Sequence, residues 1–247
     1  MPDLTRVAVL LADRTRARIL EELLGGTPLP AGALAARVGV APSTVSGHLA
    51  KLEAGGLIAV EARGRRREAR LAGAHVAEAL EALGRLDDGD AAPVGLRAVN
   101  RRQDLRQARS CYDHLAGRVA VALADALVAR GVLIAGDGTF SVTPGGEHRV
   151  WAQLGVDPGA LPDGPRPRVR ACSDWTERRP HVAGALGAGL LQSMLGQDWV
   201  RRRSDGRALT VTPIGAHRLA ALGVPTDESA PRRWSAPAVA HHERTPA

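Results

Sequence analysis

Residues 38–71 read VGVAPSTVSGHLAKLEAGGLIAVEARGRRREARL, and their punctuation decides the fold. Gly39-Val40-Ala41 is a tight turn, because glycine takes positive φ values that other residues resist. Pro42 then opens a helix, since proline's missing N–H leaves nothing unpaired at a first helical position. That helix runs to Ala54 and stops at Gly55-Gly56. Val45, Leu49 and Leu52 fall at i, i+4 and i+7 and form one buried stripe. The opposite face carries Ser43, Thr44, Ser46, Gly47, His48 and Lys51 and holds no carboxylate. Short hydroxyls reach base edges or phosphates without a clash, and Lys51 adds charge, so this face suits a major groove. A shorter helix precedes the turn, with Leu34 and Val38 one turn apart. Two helices joined by a three-residue turn make a helix-turn-helix.

Working outward, residues 57–62 and 67–71 read as short strands around the tip Arg63-Gly64-Arg65-Arg66. Counting Arg67 and Arg70, five arginines fall in eight positions. A glycine-bearing tip loaded with guanidiniums suits a wing lying along phosphates or entering a minor groove. Upstream, residues 4–24 read as two helices ended by Gly25-Gly26, and Pro28 and Pro30 mark a loop. Downstream, residues 75–86 are helical, with Val76, Ala79, Leu80 and Leu83 on one face.

LADRTRARILEELL followed by LAARVGVAPSTVSGHLAKLEAGGLIAVEARGRRREARL resembles the ArsR family of winged-helix transcription regulators, over residues 4–86. The resemblance implies a homodimer that binds a double-stranded DNA operator and releases it when an effector binds. It implies DNA contacts from Ser43, Thr44, Ser46, His48, Lys51 and the wing arginines Arg63, Arg65, Arg66 and Arg67. One departure is Ala41, where the family often has a capping serine; the loss costs about 1 kcal/mol. Residues 33–36 lack the Cys-x-Cys pair of metal-sensing members, and His75 alone does not match the family's zinc pattern. Metal sensing is therefore not carried over to this module.

The chain has 247 residues, enough for two small domains. Aromatics are only 2%, which argues against an all-β sandwich and for helices packed through Leu, Val and Ala. The net charge is +7, and Lys51 is the sole lysine among 33 basic residues. Such arginine excess fits bidentate phosphate contacts and equally a bias of composition. Two cysteines exclude a disulfide-rich secreted scaffold. The amino terminus lacks the pattern of a signal peptide, and the apolar run 182–191 is too short to span a bilayer, so a cytoplasmic protein is expected.

Residues 87–93 are acidic and read as a linker, with a bridging helix after it to 108. Residues 109–224 hold the order helix, hairpin, helix twice. The first copy opens at CYDHLAG (111–117) and the second at Cys172 and His181. The expected fold is thus mainly α with short β-hairpin wings. It consists of a winged helix-turn-helix (1–86), a linker and bridge (87–108), a duplicated pseudo-symmetric sensory and dimerisation domain (109–224) and a disordered tail (225–247). CYDHLAG with the later CSDWTERR and HVAGALGA is similar to a subgroup of the same family carrying this extension.

Cys111 and Cys172 stand at matching ends of the two copies, each read as just before a helix, where the dipole favours thiolate. Arg109 and Arg170 would push the same way. Three readings stay open: a thiol switch, a tetrahedral zinc site from Cys111, His114, Cys172 and His181, or two small core residues. Loose spacing in the second copy weighs against zinc, and no metal or other cofactor is expected. His114, Trp175, Glu177, Arg178 and His181 are candidates to line an effector pocket. Trp151 and Trp199 are expected to fill core gaps. The functional expectation is a DNA-binding regulator, a repressor released by an effector or by thiol modification. The alternative is a winged-helix protein with a thiol- or metal-dependent enzymatic second half. No phosphate loop or nucleophile elbow supports an enzyme.

Overall fold

The computed structural model describes residues 4–64, 66–86, 95–136, 138–144, 147–157, 161 and 166–226. The acidic linker 87–93 and Arg65 lie outside them, as does the tail from 227.

The first module runs α1 (Leu4–Leu11), α2 (Arg14–Leu23), β1 (Leu29–Pro30), α3 (Ala31–Val38), α4 (Pro42–Ala54), β2 (Ile58–Arg63), β3 (Arg66–Leu71) and α5 (Ala74–Gly84). Asp13 caps α2 by accepting the Arg16 N–H at 2.9 Å. Gly39 ends α3 in the left-handed region at φ 78°, and Ala41 starts α4 with no side-chain cap. Ile19, Leu20, Leu23, Leu34, Val45, Leu52 and Leu71 close the core beneath α4. The segment read as a loop at Pro28–Pro30 is in part a strand. Leu29 pairs with Ala69, which makes a three-stranded sheet of order β1-β3-β2. Two residues, one of them a proline, are too few to show a strand period.

After α6 (Leu96–Gln107), the second half runs β4 (Arg109–Cys111), β5 (His114–Ala116), α7 (Arg118–Ala129), β6 (Leu133–Ala135), β7 (Phe140–Val142) and α8 (Glu147–Leu154). It continues with β8 (Arg170–Ser173), β9 (Pro180–Ala183), α9 (Gly184–Gly196), β10 (Val200–Arg202), β11 (Leu209–Val211) and α10 (Pro213–Ala221). The order hairpin, helix, hairpin, helix therefore occurs twice. Both sets of elements feed one core, in which Val119, Leu123 and Leu127 of α7 join Leu186, Leu190 and Met194 of α9. Trp151 and Trp199 are buried in that core.

The structure corrects the placement of both cysteines. They lie on strands β4 and β8, not at helix starts, and each belongs to a hairpin that the sequence reading had merged into a following helix. The helix-dipole argument for their acidity therefore falls.

The two halves are welded by buried charge. Arg109 is fully buried; its guanidinium donates to Asp174 Oδ2 at 3.0 Å and lies 3.6 Å from Glu81 Oε2 on α5. Its Cζ also stacks 5.0 Å from the Trp175 ring centroid. Arg207 donates to Glu81 as well. Two cations thus meet two anions, so the desolvation of each is offset by partners. Backbone contacts add to this. The Tyr112 N–H donates to Leu24 O at 2.7 Å, and Ser110 Oγ donates to Gly25 O at 3.1 Å.

Asp174→Ala should cost about 3–5 kcal/mol in chemical denaturation, because it leaves a buried guanidinium short of charge. Asp205→Ala, which removes only an exposed pairing with Arg203, should leave the midpoint nearly unchanged. Gly26 and Gly39 both have positive φ, 71° and 78°. Alanine at either costs about 1–2 kcal/mol for that backbone. Only at Gly26 would the new Cβ fall 1.6 Å from Tyr112 O. Gly26→Ala should therefore lower the melting temperature well beyond Gly39→Ala, and equal shifts would contradict the docking of the two halves.

Candidate functional site

α4 buries Val45, Leu49 and Leu52 against the first core, so its other face must meet solvent. Ser43, Thr44, Ser46, Gly47 and Lys51 are exposed there. Ser46 Oγ donates back to Pro42 O at 2.9 Å, a bond that a stronger acceptor would replace. His48 departs from the outward position expected of it. Its side chain is 16% exposed and leans toward the α2 cap, with Nδ1 3.9 Å from Asp13 Oδ1. It sits beside the reading face instead of at its crest.

The wing pairs β2 with β3 in a register that sets Arg63 opposite Arg66. Arg63, Arg66 and Arg67 are exposed. Arg70, counted with them in the sequence, is bonded to Glu61. The second basic hairpin, β10–β11, turns its charges on the protein itself. Arg202 donates to Gly25 O at 3.1 Å and Arg203 to Asp104 Oδ2 at 2.8 Å.

A second constellation lies in the other half. In antiparallel pairs, directly opposed residues project to the same side of the ladder. The β4–β5 register opposes Cys111 to His114, and the β8–β9 register opposes Cys172 to His181. Each hairpin therefore offers one thiol and one imidazole, and the two hairpins face each other. One donor atom from each of the four residues lies within 4.8 Å of all the others. The sulfurs are 3.9 Å apart and the ring centroids 5.1 Å. All four residues are buried. The loose Cys172…His181 spacing that weighed against a metal is thus closed by the hairpin register, and with it goes the ground for expecting none.

Each imidazole has its own carboxylate. His114 Nδ1 is 3.1 Å from Asp113 Oδ1, and His181 Nδ1 is 3.5 Å from Asp174 Oδ2. Among the described residues, His114 Nε2 and both ring nitrogens of His181 are buried with no hydrogen-bond partner, so Asp174 stands beside His181 without a hydrogen bond to it. The hydrogen bond with Cys111 and the two imidazoles hold the Cys172 thiol well below its ordinary range. The same bond and burial push Cys111 up. Arg109 and Arg170 contribute little to this, being bound to Asp174 and Glu78.

The five residues proposed for an effector pocket do not share one cavity. Trp175 lines a groove of about 480 Å³ with residues of α2, α5 and α6, such as Leu20, Leu80, Glu81 and Leu105. His114 and His181 belong to the thiol–imidazole cluster. Arg178 is exposed and Glu177 half-buried. The sequence reading missed Asp113 and Asp174. The signal was there: Cys-x-Asp occurs at 111–113 and again at 172–174.

Among the described residues no helix is long and apolar enough to cross a membrane. Residues 11–61 match a family model described as a helix-turn-helix domain. The chain is 40% identical over 215 residues to YdfF of Bacillus subtilis (strain 168), an uncharacterized HTH-type transcriptional regulator, covering 87% of this chain and 94% of that one. It is 45% identical over 80 residues to the HTH-type transcriptional regulator CmtR of Mycobacterium tuberculosis (strain H37Rv), covering 32% of this chain and 67% of that one. A solved structure of the cadmium metal-sensor CMTR from Mycobacterium tuberculosis matches at 38% identity and a TM-score of 0.29, over 38% of this chain and 99% of that one. The outward face of α4, the wing beside it and this likeness over most of the chain lead to one conclusion: it belongs to the ArsR-type winged helix-turn-helix family of transcriptional regulators.

Proposed function

We propose that the protein is a homodimeric, operator-binding repressor that reads duplex DNA with α4 and its wing and takes its signal in residues 109–224. The observation that carries this is the exposed surface of Ser43, Thr44, Ser46 and Lys51 beside Arg63, Arg66 and Arg67. Hydroxyls and guanidiniums together can both read bases and neutralise phosphates. Arg65, at the wing tip and outside the described residues, belongs to the same set by sequence. His48 is assigned to orienting α4 against Asp13 and not to reading a base.

A second copy of the chain has a surface to meet. Among the described residues α1 buries none of its own, and Leu4, Val7 and Val9 stand exposed on it. Apolar exposure of that kind marks association surfaces. The two cores support a division into a DNA-binding unit to 86, a bridge to 108 and a sensory unit to 224. The repeated element order supports a duplication within the sensory unit. An enzymatic second half fits less well. A catalytic metal or thiol needs an open position, and here all four candidate side chains are buried.

Binding should weaken steeply with salt, as arginine–phosphate contacts release counterions. Replacing Arg65 and Arg66 with Ala should weaken selected and unrelated duplexes alike, and should flatten the slope of log K against log salt by about 1–2. Ser46→Ala should instead cost discrimination, about 1–3 kcal/mol at its base position. Fluorescence anisotropy across a salt series reads both. An unchanged slope in the wing variant would remove the wing from the interface.

A further inference from the structure

We propose that Cys111, His114, Cys172 and His181 bind one tetrahedral, thiophilic divalent metal ion of the zinc class, and that this ion clamps the β4–β5 and β8–β9 hairpins together. Four observations converge on this. The sulfurs, 3.9 Å apart, match the separation of about 3.8 Å that two thiolates show across a tetrahedral ion with zinc–sulfur bonds near 2.3 Å. The two Nε2 atoms are buried without partners among the described residues. Polar atoms left unpaired out of water destabilise the fold unless something satisfies them.

His114 is bonded at Nδ1 to Asp113, and the Asp174 carboxylate lies 3.5 Å from Nδ1 of His181; a carboxylate behind the ring is what fixes orientation and tautomer in metal sites. Those carboxylates are themselves held, Asp113 by Arg166 at 2.6 Å and Asp174 by Arg109 at 3.0 Å. Finally, the turn between the first two ligands is pre-set. Tyr112 sits in the left-handed region at φ 60°, a costly backbone for a bulky residue that persists where the surroundings impose it.

Charge also balances. A divalent cation with two thiolates and two neutral imidazoles is a neutral unit, which suits an enclosed site. Binding forms two metal–sulfur and two metal–nitrogen bonds and releases to solvent the protons carried by the four donor atoms, with no change of oxidation state. A disulfide between the same sulfurs would consume an oxidant and leave both Nε2 atoms unsatisfied. The site lies against the DNA-binding module, because the Tyr112 N–H between its first two ligands donates to Leu24 O at the end of α2. The effect of the ion on DNA rests on the function proposed above; the metal site does not.

The test uses the full chain, stripped with chelator under reductant and titrated with Co²⁺ in the absence of DNA. The expected result is the intense visible bands of tetrahedral cobalt with a sulfur-to-metal charge-transfer band, saturating at one ion per chain and bleached by Zn²⁺. Zn²⁺ should also raise the melting temperature and shield both thiols from a thiol reagent. Cys172→Ser should abolish the charge-transfer spectrum or weaken it severely. As that variant can misfold, Asp113→Asn provides a second reading: tetrahedral bands retained, with affinity lowered about 10–100-fold. Three results would each overturn the proposal. They are an octahedral or absent spectrum, binding unchanged in Cys172→Ser, and a Cys111–Cys172 disulfide forming equally fast with and without Zn²⁺.

Discussion

One carboxylate holds the molecule's two concerns together. Asp174 accepts from the buried guanidinium of Arg109 at 3.0 Å and from the Gly117 N–H at 2.6 Å, and it lies 3.5 Å from His181. Its other oxygen accepts from Thr176. Arg109 and these donors hold its proton affinity well below the usual carboxylate range. A charge so enclosed is tolerable only while these partners stay in place. The same residue therefore holds the guanidinium that reaches Glu81 across the seam and stands beside an imidazole of the thiol–imidazole cluster. A close-packed interior of this kind has low compressibility and transmits strain.

The helix-turn-helix and wing were legible because their signals are local. Gly39 and Pro42 mark a turn and a helix start; Val45, Leu49 and Leu52 repeat at helical spacing; the arginines crowd one tip. The hairpins β4–β5 and β8–β9 were not legible. Their strands are three and four residues long and built mainly from Arg, Ser, Cys, His and Ala, with Val182 their one β-branched residue, so the alternation that announces a strand is missing. They are strands because tertiary partners make them so. Ser110 N–H bonds Arg207 O, and Leu209 N–H bonds Ala108 O. Missing them misplaced both cysteines at helix starts and made the eight residues between Cys172 and His181 look too loose a spacing to matter. His48 stands less far out than its helical position suggests, because Asp13 of the α2 cap lies beside it.

The second half shows how a chain with few aromatics builds a core. Leu, Val and Ala of α7 and α9 supply most of the packing, and the two buried tryptophans sit one in each set of elements. Close approach is allowed by glycine. A Cβ at Gly187 would fall 2.4 Å from Val182 O and 3.2 Å from His114 Cβ. Without a side chain there, α9 can lie directly over both hairpins. The cluster is thus enclosed by helix packing from one side and by the seam from the other, which is why all four of its side chains are out of water.

The account joins a surface that meets DNA to a buried cluster some distance from it, and its central claim is that the state of the second changes the first. The direct measurement is operator affinity by fluorescence anisotropy, for metal-stripped and zinc-loaded protein at one fixed salt concentration. Coupling between such sites is about 1–3 kcal/mol, or roughly 5–150-fold in affinity, and a difference in that range is expected. Identical affinities for the two forms, with zinc shown to be bound, would contradict it.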